Sequence, residues 1–130
     1  MDPVVHFELP AEDRERMAAF YTSAFGWQTE LLGPEMGSYT VVTTTETEAG
    51  RPTTPGAING GFFLRTSDAA SQTPSVVIAV QDIDASLRAV EQAGGTPAGP
   101  PQEIPGVGTY AGFHDTEGNR VGLLQPLPRN

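Results

Sequence analysis

Cysteine is missing from all 130 residues. That absence removes disulfides, thiolate metal sites and a cysteine nucleophile together, and it agrees with a reducing compartment. Positive charge is scarce: the 7 basic residues are the arginines at 14, 16, 51, 65, 88, 120 and 129, against 16 Asp and Glu, for a net charge of −9. Phosphate-backbone binding needs clustered cations, so this scatter argues against a nucleic-acid partner, and the acidity serves solubility. Long apolar runs are also lacking. No segment approaches the about 18 apolar residues of a membrane span, and no basic stretch leads into an apolar run at the start. The expectation is a cytoplasmic protein without a membrane partner. Asn59-Gly60-Gly61 and Gly106-Val107-Gly108 lack the Lys-Ser/Thr of a phosphate loop and the strand-to-helix setting of a dinucleotide fingerprint. No serine stands in a nucleophile-elbow sequence. With 38% hydrophobic residues the chain is long enough for one compact domain with a core and too short for two independent ones.

What the chain does contain is a duplication. An apolar strand with His6 (Val4 to Leu9) leads into a helix and ends in the glycine-aromatic run Gly60-Gly61-Phe62-Phe63-Leu64; a second (Ser75 to Val80) leads into a helix and ends in Val121-Gly122-Leu123-Leu124. Met17, Phe20, Tyr21, Ala24 and Phe25 recur at helical spacing after the acidic residues Glu12, Asp13 and Glu15, and Gly26 follows as a stop. The second helix repeats this with Asp82 as N-cap, Ile83, Leu87 and Val90 on one face, and Gly94-Gly95 as the stop. His6 aligns with Val76 and Met17 with Leu87 at one common offset. Strand-like runs follow at Trp27 to Leu32, Tyr39 to Thr44 and Ala57 to Leu64, then around Thr96, Thr109 to His114 and Arg120 to Gln125. Each half therefore reads βαβββ. The expected organisation is a first module over 1–66, a linker over 67–74 and a second module over 75–130, together one α+β domain. The stretch 45–56 reads as a polar loop, and 115–119 as a turn in which Gly118 suits positive φ.

These segments carry a family resemblance over nearly the whole chain. His6-Phe7-Glu8-Leu9-Pro10, Ala19 through Trp27, Ile58-Asn59-Gly60-Gly61-Phe62-Phe63, Val80-Gln81-Asp82-Ile83-Asp84, Ile104-Pro105-Gly106-Val107-Gly108 and Asp115 through Leu124 resemble the vicinal oxygen chelate superfamily. That superfamily includes glyoxalase I, bleomycin-resistance proteins, fosfomycin-resistance enzymes and extradiol dioxygenases; the Ile-Asn-Gly-Gly and Ile-Pro-Gly-Val-Gly pieces look most like a glyoxalase-like subgroup. The resemblance implies two paired βαβββ modules forming an open, curved mixed β-barrel with helices outside, around a small-molecule cleft. Sheet edges and apolar outer faces add the expectation of a homodimer.

Metal-using members of the family carry one ligand on the first and one on the last strand of each module, commonly His and Glu. Only His6 matches. Ser75 or Val76 stands at the second first-strand position, and Gly61 and Gly122 stand where the carboxylates would be. Glycine offers no donor, so the resemblance implies no metal and no other cofactor; a relocated metal site would draw on Glu8 or His114. Strand alternation turns Glu8 to the same side as His6, and Asn59 and Phe63 to the side of Gly61. If Gly112 lies across from Gly122, Tyr110 and His114 face that way too; a one-residue slip would replace them by Ala111 and Phe113. The expected lining is His6, Glu8, Asn59, Phe63, Tyr110 and His114, with Trp27 and Tyr39 as aromatic walls, and with Phe20, Tyr21 and Phe25 assigned to the core. His6 and Glu8 are the candidate catalytic pair, the carboxylate orienting the imidazole or raising its basicity. Two functions stay open: a metal-independent lyase, isomerase or cyclase of small-molecule metabolism, and a non-catalytic protein that binds a drug or natural product. A metal-dependent glyoxalase or dioxygenase is a third.

Overall fold

A computed structural model of the chain describes residues 1–128; Arg129 and the last position of the expected second module lie outside the described residues. The chain divides into two compact units, His6–Pro74, and Met1–Val5 with Ser75–Asn130. In chain order the first half carries β1 (Val4–Ala11), α1 (Arg14–Phe25), β2 (Gln28–Leu31), β3 (Thr40–Thr43), β4 (Thr47–Glu48), β5 (Arg51–Pro52) and β6 (Asn59–Leu64). The second half carries β7 (Ser75–Ala79), α2 (Ile83–Gln92), β8 (Thr96–Pro97), β9 (Gln102–Ile104), β10 (Gly108–His114) and β11 (Arg120–Pro126). The class is α+β, as the sequence implies. Among the described residues no helix is long and apolar enough to cross a membrane.

Within His6–Pro74 the sheet is mixed and open, in the order β2-β3-β6-β1. The β1–β6 pair is parallel, with His6 beside Asn59, Glu8 beside Gly61 and Pro10 beside Phe63. Alternation then sends Phe7 and Leu9 to the other face, where they pack with Met17, Tyr21 and Trp27 around the buried Ala11, Val42 and Phe62. Helix α1 covers that face. Asp13 caps it by accepting a hydrogen bond from Arg16 N (3.0 Å), and Gly26 ends it at φ 74 with its N–H donating to Thr22 O.

The apolar stripe of α1 is wider than the surface it covers. Met17, Ala18 and Tyr21 point at the sheet, whereas Phe20 and Phe25, expected in the core, are 58% and 65% exposed. Phe20 lies about 100° round the helix from Met17, Ala18 and Tyr21 as a group. Phe25 is the last helical residue, and the space in front of it is taken by Tyr21, stacked on Trp27 at 4.6 Å and 9°. The polar stretch expected as a plain loop holds the β4–β5 hairpin, turned by Ala49 and Gly50 at φ 50 and 78. Two positive φ values in succession give the hairpin-compatible type I′ geometry, and a two-residue ladder is too short to leave periodicity in sequence.

In the other unit the order is β7-β11-β10-β8, with β9 on β10. Ile78 and Phe113 pack around the buried Val80, Ile83, Leu87, Ala111 and Leu123, so α2 covers the face carrying Ala111 and Leu123. Asp82 caps α2 by accepting from Ala85 N at 3.1 Å, and the Gln125 amide oxygen accepts from Ile83 N at 2.9 Å. Strand β9 goes beyond the expected set; it returns through the turn at Gly106 (φ 77) to pair with Gly108, Thr109 and Tyr110.

Candidate functional site

The face of the His6–Pro74 sheet opposite α1 is assembled from three strands. β1 supplies His6 and Glu8, and the parallel register places Asn59, Gly61 and Phe63 of β6 on the same side. Val41 of β3 pairs with Gly61, and Tyr39, two residues earlier, follows the same parity. The Tyr39 ring swings over Gly61, so that a β-carbon there would collide with its hydroxyl, and that hydroxyl donates to Glu8 Oε2 at 2.9 Å. Glycine leaves open the volume that the phenol occupies, so a side chain at this position would have to displace the Tyr39 ring.

His6 is half-buried, and burial lowers its pKa from the ordinary 6.5. The direction is opposite to what a neighbouring carboxylate would impose. Along the strand His6 and Glu8 are about 6–7 Å apart. The carboxylate is thus held by Tyr39, and the imidazole sits in a desolvated setting that keeps it neutral. Asn59 has a different task from the expected one. Its carbonyl accepts from Thr44 N (2.9 Å) and its amide donates to Thr47 Oγ1 (2.9 Å), which ties the start of β4 to β6. Beside this loop an open groove of about 590 Å³ is lined by residues 43–48 with Gly26, Gln28 and Thr53. It contains none of the candidate site residues. Trp27 is also elsewhere: it packs on the helix side with Phe7 and Tyr21, because alternation from the Gln28 strand and the end of α1 direct it into that cluster.

The second unit presents a matching arrangement on its own face opposite α2. The β10–β11 register pairs Gly112 with Gly122, Tyr110 with Leu124 and His114 with Arg120, which is the alignment that turns Tyr110 and His114 away from α2. The Tyr110 ring lies over Gly122, where a β-carbon would come within 2.8 Å of it, and the Arg120 guanidinium lies over Gly112. Arg120 is the residue that reading the sequence for function passes over. Its signal was present, since it stands two positions before Gly122 and therefore on the same face. Among the described residues no three His, Asp or Glu side chains come together as a group able to hold a metal ion.

The sequence model of the glyoxalase/bleomycin resistance protein/dioxygenase superfamily matches residues 4–123, and the chain belongs to that superfamily. A glyoxylase-like domain-containing protein of Didymella fabae is 32% identical over 115 residues, which cover 86% of this chain and 84% of that one. Solved structures share the fold. A hypothetical protein from Bacillus halodurans superposes with a TM-score of 0.70 at 11% identity, covering 99% of this chain and 97% of the other. Streptomyces coelicolor methylmalonyl-CoA epimerase, solved with 2-nitronate-propionyl-CoA, gives 0.69 at 17% identity over 96% and 97%.

Proposed function

We propose that this protein binds a small organic molecule and moves a proton on it without a divalent metal, as a lyase, isomerase or cyclase in which His6 is the base and Glu8, held by Tyr39, is its partner on the same face. The tyrosine laid over each glycine carries this reading. At Gly61 and Gly122, where the family resemblance would place carboxylate ligands, Tyr39 and Tyr110 take the space that a Glu side chain would need. Among the described residues no donor set fits a divalent ion: one imidazole and one carboxylate already bonded to a phenol fall short of three protein ligands. A neutral imidazole in a desolvated setting accepts a proton without first shedding one, and the Tyr39–Glu8 pair offers a hydroxyl and a carboxylate for hydrogen bonding to a substrate oxygen. A relative of the same fold is an epimerase solved with 2-nitronate-propionyl-CoA, which supports a small-molecule ligand.

The test starts with thermal-shift screening of a metabolite and antibiotic library, since a ligand of the folded state raises Tm by mass action. For a ligand that is turned over, His6→Ala is expected to lower kcat by about 10²–10⁴-fold while its binding changes little. Unchanged turnover in that variant would remove His6 from the chemistry. A ligand bound tightly but never converted would instead make the protein a sequestering member of the drug-binding kind.

A further inference from the structure

We propose that Arg120 and the Gly112–Gly122 pair form an oxyanion-recognition site on the face of the Ser75–Asn130 unit opposite α2, taking the carboxylate group of a small organic molecule. This deepens the small-molecule reading above and rests on it. Three observations lead there. The Arg120 Nε is buried and has no hydrogen-bond partner among the described residues. A guanidinium is a permanent cation with five donors in a planar fork, and burying one of those donors unpaired is costly enough that native structures rarely keep it without a use.

The second observation is how the side chain is held. Gly112 leaves open the space that the guanidinium fills, so the group lies flat against the strand rather than extending into solvent. Ser75 Oγ donates to the Arg120 carbonyl at 2.9 Å, which ties its backbone to β7. A long side chain fixed at its root and pressed along a bare backbone has lost most of its freedom before any ligand arrives. Third, the neighbouring glycine of the pair, Gly122, is covered by the Tyr110 ring, so a cationic fork and an aromatic ring lie over adjacent positions of one hairpin. A planar fork matches a carboxylate bidentately, and the ring supplies an apolar wall for the carbon skeleton behind it. The chemistry that fits is an aryl or unsaturated carboxylic acid.

Benzoate is a probe for this site and benzamide its uncharged counterpart of the same shape. In ¹⁵N-labelled protein the Arg120 Nε–H resonance is assigned by its loss in Arg120→Gln. Saturable movement of that resonance with benzoate, and none with benzamide, is expected. Arg120→Gln should weaken benzoate binding about tenfold or more, with Arg120→Lys keeping the charge but recovering only part of the loss. Gly112→Ala, which displaces the guanidinium without removing it, should weaken benzoate as well and guards against a folding defect in the Arg120 variants. Equal binding of benzoate and benzamide, or benzoate affinity untouched by Arg120→Gln and Gly112→Ala, overturns the proposal; so does an Nε resonance that benzoate leaves in place. If that happens while neutral library compounds still raise Tm, only the oxyanion site has failed. If no organic compound raises Tm, the small-molecule reading has failed with it.

Discussion

Gly60 and Gly61 are adjacent in sequence, and alternation makes their missing side chains matter to opposite faces. A β-carbon on Gly60 would come within 2.6 Å of three Phe7 ring atoms, and Phe7 is wedged on the helix side against Trp27. At Gly61 the obstacle is the far end of Tyr39, a ring that can swing away. Gly60→Ala is therefore expected to destabilise the fold by about 2–3 kcal/mol, and Gly61→Ala by about 1 kcal/mol. The order reverses for function: Gly61→Ala breaks the Tyr39–Glu8 hydrogen bond and should weaken ligand binding, which denaturant titration and ligand-induced Tm shifts on the two variants would separate. His6 adds a pH dependence. Its folded pKa lies below 6.5, so the unfolded chain binds the proton more readily in the window between the two values. The stability it contributes is complete above 6.5 and is lost as pH falls toward the folded value. Urea midpoints should decline across that interval in the native protein and decline less in His6→Gln; a native midpoint as high at about pH 5 as at about pH 7 would contradict it. The acid limb of any activity that uses His6 as base should fall in the same interval.

Helix ends could be read from the sequence because each has a local cause, whereas the register of the last hairpin stayed open between two alignments until the Gly112–Gly122 pairing decided it. Asp82 is the cap that its position before the apolar stripe implies, and Asp13, one of the three acidic residues at the start of the first helix, proves to cap it in the same way, each accepting a backbone N–H three residues on. Gly118 takes φ 83 in a turn where Asp115 accepts from the N–H groups of Glu117 and Asn119. Asp13→Ala should cost about 1 kcal/mol. Phe20 shows the limit of periodicity: helical spacing marks it as apolar but not which part of a broad apolar arc meets the sheet. Phe20→Ala, at 58% exposure, should change stability by less than about 0.5 kcal/mol, whereas Phe62→Ala, at 1%, should cost about 3–5 kcal/mol. Chemical denaturation of the pair checks the assignment of faces. The cluster that Trp27 joins and the partners that Asn59 takes could not be read for a related reason. Parity names a face of a strand, but Trp27 precedes β2, and the Asn59 amide reaches along its strand to a loop whose course the sequence leaves open.

The same device appears in both units of the molecule: a closing strand with a glycine at mid-length and a tyrosine from the adjoining strand or its approach lying over it, Tyr39 on Gly61 and Tyr110 on Gly122. The duplication itself was plain in sequence, because two apolar strands, two capped helices and two glycine-bearing closing strands recur at one offset. The tyrosines were harder to read. Tyr39 was a candidate wall and Tyr110 depended on the hairpin register, and neither periodicity nor spacing says that a ring folds back across its neighbouring strand. That it does so twice bears on the metal. A carboxylate introduced at Gly61 must displace a phenol that is already bonded to Glu8, and one at Gly122 must displace the Tyr110 ring. Exhaustive treatment with a chelator should accordingly leave Tm, and the Tm shift produced by any ligand found in screening, where they were. In a protein held or armed by a divalent ion both would drop, because removing a ligand of the folded state withdraws its share of stability by mass action. Stoichiometric metal retained through purification, together with a chelator-induced fall in Tm restored by one divalent ion, would show that the tyrosines move aside and that His6 has partners in holding a cation.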